Sequence, residues 1–271
     1  MPTIAIPSQL SAGRARSYVY RLPLFTRVVV AAIIASWVVG VVTDTKWDIR
    51  AWGALVPQEI GFASLYRTNT YPFIHLNFLH MIMNLLALTP LVERFESEYG
   101  TLTALALFMG PFSTFPAALY TITEIFILHS NTAVMGASVW FFLLLGMEAI
   151  RTYKTNPHFV IATYNIPTWT TPLLLAVVVS ALVPSSSLLG HLCGLLVGYF
   201  CGLGYMKFLA PPEKVLRFIE AKLRLLQLLP RYVSVDQKTY GRFGVLPTTA
   251  TSPGGAGVAL GVVGSTQRLG P

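Results

Sequence analysis

Ser138, His191, His80 and Asn84 are polar side chains set in otherwise apolar runs, and their identities suit acid–base and nucleophilic chemistry. Ser138 follows Gly136-Ala137 and opens an apolar run, Val139-Trp140-Phe141-Phe142, that reaches Ile150 before Arg151 and Lys154 mark a water boundary. At ~1.5 Å per residue, the hydroxyl lies roughly 20 Å from that boundary, inside a hydrocarbon layer about 30 Å thick. A hydroxyl opening a helix has unpaired backbone N–H groups and a positive dipole end beside it. His191 heads the run Gly190-His191-Leu192-Cys193-Gly194, which Gly198 and Gly202 continue as a four-residue stripe. Counted from Lys207, its depth is ~24 Å, and His80 counted from Glu93 is ~20 Å deep. Three polar side chains on three spans therefore share one depth, where ionisable groups are costly and mark function by default. A Ser–His pair performs acyl transfer when the imidazole takes the hydroxyl proton and returns it to the leaving amine. His80 and Asn84, four apart, share a helical face and can donate to a developing oxyanion without fixed charge.

Positioning these groups falls to long apolar segments. Of the 271 residues 54% are hydrophobic and 11% charged, and mean hydropathy is +0.62. Soluble domains carry about twice that charged fraction, so the fold class is an all-α polytopic membrane protein. Spans are expected at about 24–42, 71–92, 102–122 (bent at Pro111 and Pro116), 138–150, 169–183 and 188–208, a core of 24–208 preceded by a cytosolic segment 1–23. That first segment is basic and acid-free, as a transit peptide or the flank of a first span would be. With the N-terminus inside, only Lys46, Arg50 and Arg67 of the 19 Lys and Arg fall outside. Both termini are therefore expected in the cytosol.

Residues 209–232 read as an amphipathic helix on the anionic cytosolic leaflet, and 233–271 as a disordered Gly/Ser/Thr/Pro-rich tail. The net charge of +8 belongs to membrane flanks rather than to nucleic-acid binding. The Gly190/Gly194/Gly198 ridge lets another helix backbone approach closely. Phe142, one turn beyond Ser138, is expected against the imidazole, in a dyad without a carboxylate. His75 is expected to support the loop at the outer end of the second span. As metal ligands His75 and His80 would be splayed, with no further ligand to join them, so neither metal nor cofactor is expected.

In order, combination and depth, Gly136-Ala137-Ser138, the Gly190–Gly194 motif with Gly198, and His75/His80/Asn84 resemble rhomboid intramembrane serine proteases over about residues 20–208. The resemblance implies a six-helix bundle with a short Ser-bearing fourth helix. It makes Ser138 the nucleophile, His191 the base, and His80, Asn84 and the Ser138 amide the oxyanion hole. Arg67 matches a first-loop Trp-Arg pair from which Tyr66 departs, and Val139 stands where the family usually has Gly. The layout is most similar to fungal Golgi rhomboids, which implies a multi-pass protein of the Golgi or endoplasmic reticulum. Its implied substrates are membrane-spanning proteins such as membrane-anchored transcription factor precursors. The alternative, a silent scaffold that binds spans for degradation, loses the Ser or the His in its known examples. Residues 238–247, Lys-Thr-Tyr-Gly-Arg-Phe-Gly-Val-Leu-Pro, resemble peptides that recruit an AAA ATPase of the extraction pathway.

Overall fold

The computed structural model describes residues 12–42, 48–161, 163–183, 186–223, 226 and 228–239. In chain order these form α1 (Ala12–Arg21), α2 (Leu24–Val42), α3 (Ile49–Gly53), α4 (Arg67–Thr70), α5 (Phe78–Tyr99), α6 (Thr101–Phe108) and α7 (Pro111–Ile122). After them come α8 (Ser138–Thr155), the antiparallel hairpin β1 (His158–Ile161) and β2 (Tyr164–Pro167), then α9 (Thr171–Leu182), α10 (Leu188–Leu203) and α11 (Glu213–Lys222).

Among the described residues, three helical stretches are long and apolar enough to cross a bilayer unaided: Leu24–Val42, Phe78–Tyr99 and Thr101–Ile127. Helix α8, with Glu148, Arg151 and Lys154 in its last turns, and the shorter α9 and α10 add three further apolar segments to the bundle. The inward faces of α2 (Phe25, Val29, Ile33), α5 (Met81, Leu88, Val92) and α8 (Trp140, Leu143) share one buried core with Phe108 and Phe112. Val38 and Val41 of α2, Leu86 of α5 and Val177 of α9 are exposed. In water such a surface would drive aggregation; in lipid it is the solvated face.

Four expectations are corrected by the structure. The second span starts at Phe78 rather than Tyr71, because Pro72 lies in a separate 3-10 turn and Asn77 caps the helix by accepting from the His80 amide. His75 therefore precedes the span instead of riding on it. The same helix continues past Val92 to Tyr99. Its Glu96, four residues past the expected end of the span at 92, is fully buried. The carboxylate accepts from the Phe25 and Thr26 amides at the start of α2 and from the Thr26 and Thr101 hydroxyls. Four donors, two of them at a helix N-terminus, offset its desolvation.

The third correction concerns the amphipathic helix, which ends at Lys222 and turns Leu216 and Glu220 into the protein while leaving Val215 and Phe218 exposed. Fourth, residues 233–239, expected to open the disordered tail, form with Arg231 and Tyr232 a strap against the core. Thr101 and Val233 exchange hydrogen bonds, Leu24 N donates to Arg231 O, and Thr239 N donates to Ser97 O. Glu220 accepts from the Tyr232 hydroxyl and the Val235 amide. Residues 240–271, including most of the aromatic and basic island, lie outside the described residues.

Candidate active site

Ser138 is the first residue of α8, and the turn before it is tied on three sides. Val134 pairs with Leu55 through two backbone hydrogen bonds, Gly136 N donates to Tyr71 O, and Ala137 N donates to His75 Nε2 at 3.2 Å. His75 Nδ1 lies 3.2 Å from Phe73 O. Its Nε2 accepts, so Nδ1 must carry the proton and donate to that carbonyl. Gly136 turns the chain at φ +124°, and a Cβ there would meet His80 Cε1 at 3.0 Å. Glycine is needed on both counts. Beyond the turn, the amides of Ser138 and Val139 have no partner among the described residues, as the first amides of a helix lack one within it.

His191 sits in the first turn of α10, whose cap is Ser187 accepting from Gly190 N at 3.1 Å. Its Nε2 lies 3.1 Å from Ser138 Oγ and its Nδ1 3.1 Å from Ser180 Oγ on α9. The ring of Phe142 lies against the imidazole, centroids 4.3 Å apart. A bond accepted at Nε2 from the serine requires the proton on Nδ1, facing Ser180. The imidazole is thus held on both edges and one face, and it is 1% exposed.

The glycine stripe explains how the pair comes within bonding distance. A Cβ at Gly194 would lie 2.4 Å from Val139 O, and one at Gly198 2.1 Å from Leu143 O. Bare backbone on α10 therefore lies directly on α8, as expected of small residues at helix contacts. Gly190 instead faces Val134 and the Ser187 cap. Val139 is buried, and its Cγ2 points at Gly194, so the extra side chain tightens this contact.

Expected site residues fall into three groups. Ser138, His191, Phe142, Gly136 and His80 converge, the His80 ring sharing the space above Gly136 with Ser138 Oγ. Gly136, Ser138, Val139, Ser187 and His191 line a cleft of about 10 Å³, the room of a single water. Asn84 is buried one turn below His80 and donates to the His80 carbonyl at 2.8 Å, without lining that cleft. Arg67 does not line the cleft beside the serine. It donates to Ala51 O and Ala54 O and pairs with Glu59 at 3.0 Å, closing the loop around α3, where Tyr66 stacks on Trp52. Ser180 was not anticipated; one serine in an apolar run carries no pattern to flag it. His75 supports the catalytic turn itself, by accepting from Ala137.

A polytopic helical membrane protein that buries a Ser–His pair beside unpartnered helix-N-terminal amides has the layout of an intramembrane serine hydrolase. The chain belongs to the rhomboid family: residues 63–208 match the Rhomboid domain. It is 62% identical to Rhomboid-type serine protease 2 of Neurospora crassa, over 100% of this chain and 98% of that one. It is 58% identical to Rhomboid-type serine protease B of Aspergillus fumigatus, covering 100% and 99%, and 34% identical to the Yarrowia lipolytica protease 2, covering 74% and 67%. The chain is accordingly an integral membrane protein of the rhomboid-type serine protease class.

Proposed function

We propose that this rhomboid-type serine protease cleaves a peptide bond in or beside the transmembrane segment of a membrane-anchored substrate, with Ser138 as nucleophile and His191 as base. The observation carrying this reading is the 3.1 Å approach of His191 Nε2 to Ser138 Oγ in a buried setting. Ser138 Oγ attacks the scissile carbonyl while its proton passes to His191 Nε2, and the new oxyanion is met by the Ser138 and Val139 amides and His80. Collapse of the tetrahedral adduct expels the amine, which takes the proton from His191 and leaves an ester on Ser138. Water then enters by the same route: His191 accepts its proton, and ester cleavage regenerates the hydroxyl. His80 presents its Nε2 edge to the turn, while its buried Nδ1 has no partner among the described residues. Asn84 acts here through the His80 backbone as well as by its second amide hydrogen.

Burial of the site points to substrates that are themselves in the membrane, since a soluble peptide would have to cross lipid to reach it. The basic flanks support cytosolic termini, and the similarity to fungal rhomboids supports a Golgi or endoplasmic reticulum address with transcription factor precursors as substrates. For the tail we keep the reading that residues 238–247 recruit an AAA ATPase. Truncation after Thr239 would remove all but the first two residues of that island while sparing the strap. The cleavage reading is tested by reconstituting the purified chain in vesicles with a single-span substrate and mapping the product termini. Cleavage inside the span, absent with Ser138→Ala, is expected; cleavage only in soluble loops, or equal cleavage by the variant, contradicts it.

A further inference from the structure

The basic end of the bundle holds a cavity of about 580 Å³, far larger than the cleft at Ser138. It lies between α6, α8 and α10 and is closed by the segment leading into α11 and by Lys238 of the strap. Its inner wall is apolar, formed by Leu107, Phe112 and Met147, and Leu216 of α11 adds an apolar side chain from the outer side. Its mouth is cationic. Arg151 and Lys238, both lining it, are already committed to Glu98 with Glu148 and to Glu213 respectively. Lys154 reaches only a neutral group, the Gly202 carbonyl at 2.9 Å, and Lys207 has no partner among the described residues. Two cations without carboxylates thus stand over an apolar chamber.

The site lies about 20 Å along α8 from Ser138, because Arg151 is thirteen residues further on at ~1.5 Å each. That is where the headgroups of the leaflet at the basic end run. Volume, apolar lining and a few convergent polar groups are those of a ligand pocket. Basic pockets between transmembrane helices suit anionic lipid headgroups. We propose that this cavity binds one anionic phospholipid, its phosphate between Lys154 and Lys207 and an acyl chain against Leu107, Phe112 and Met147. The net charge decides the class: a zwitterionic headgroup brings its own cation beside the two lysines and leaves the pair's charge uncompensated overall, and a neutral detergent or sterol supplies no anion. Because the strap and α11 form its outer wall, bound lipid links the carboxyl-terminal segment to the core.

The test uses the full chain purified in a neutral detergent and stripped of lipid, with thermal unfolding and native mass spectrometry as readouts. Phosphatidic acid or phosphatidylserine should raise the melting temperature, on the order of 5 °C at saturation, and leave one lipid bound per chain. Phosphatidylcholine should do neither, and glycerol 3-phosphate, which carries the headgroup charge without acyl chains, should also do neither. The double variant Lys154→Gln/Lys207→Gln keeps donors, lies away from the Ser–His pair, and should unfold at the parent's lipid-free temperature without responding to anionic lipid. Equal stabilisation by phosphatidylcholine, a response to glycerol 3-phosphate alone, or an unaltered response in the double variant each overturns the proposal.

Discussion

The two ends of the α8–α10 pair share one construction principle and reach opposite results. At the Ser138 end, backbones in contact at Gly194 leave room for about one water beside the serine. At the Arg151 end the same two helices, still touching at Gly202, border a chamber of about 580 Å³. Reacting groups must be held to about half an ångström, which close packing provides. The basic end has no such demand: Arg151 and Lys238 are held by partly exposed ion pairs, while Lys154 and Lys207 meet no carboxylate among the described residues. A bare glycine ridge fixes distance locally, and the side chains at its edges decide what is done with it.

Removing the chemistry should give the largest effect at the tight end. Ser138→Ala and His191→Ala are each expected to lower cleavage by about 10⁴–10⁶-fold with little change in melting temperature. Proteolysis at the parent's rate by either purified variant would break the dyad. Next, Gly194→Ala and Gly202→Ala set the ends against each other. Both add a Cβ under 3.0 Å from the partner helix and should lose about 1–3 kcal/mol of stability. Only Gly194→Ala, which displaces Val139 next to the nucleophile, should also lower kcat by more than tenfold when assayed at a temperature where both are folded. Equal activity losses would show that the ends are mechanically one unit.

Asn84→Ala should lower kcat more than it raises KM, by roughly 10–10³-fold, as removal of an oxyanion donor does. A pure KM effect would make Asn84 a packing residue. Ser180→Ala deletes one neutral hydrogen bond to the His191 imidazole and should cost about 2–10-fold in kcat, with Ser180→Thr restoring it. No recovery by threonine would leave Ser180 as packing alone. The smallest effect belongs to the loose end. Lys238 holds the exposed Glu213 carboxyl below its usual range, mainly through their hydrogen bond. A carboxylate with a depressed folded pKa stabilises above its unfolded pKa and ceases to as pH falls through the folded one. Lys238→Ala should therefore cost about 0–1 kcal/mol near neutral pH, and the difference from the parent should vanish in acid. Thermal scans across pH check both.

What was legible in the sequence is what periodicity and depth encode. The α2 bounds, Leu24–Val42, are those the hydropathy run marks, because its few polar residues, Thr26 and Arg27 in the first turn and Ser36 bonded back to the Ala32 carbonyl, do not interrupt it. The Ser138–His191 pairing was readable because both side chains must sit at one depth and the glycine stripe names the helix that approaches. The start of α5 was not, since the Tyr71–Asn77 stretch is apolar enough to pass for helix and only the Asn77 cap and the Pro72 turn stop it. Glu96 misled for the opposite reason: its four donors come from α2, Thr26 and Thr101, none adjacent in sequence. The strap at 231–239 escaped because its partners, Thr101 and Glu220 among them, are set by tertiary contacts; the hairpin after α8 pairs locally with itself, but its composition resembles that of any loop.

The central claim, a serine activated by His191 at the start of α8, is tested most directly by covalent labelling with a fluorophosphonate probe. The parent chain should label stoichiometrically, with the adduct on a peptide containing Ser138. Ser138→Ala should not label, and His191→Ala should label far more slowly, both remaining folded and membrane-inserted. Labelling of Ser138→Ala at the parent's rate, or an adduct on another serine such as Ser180, would contradict the account.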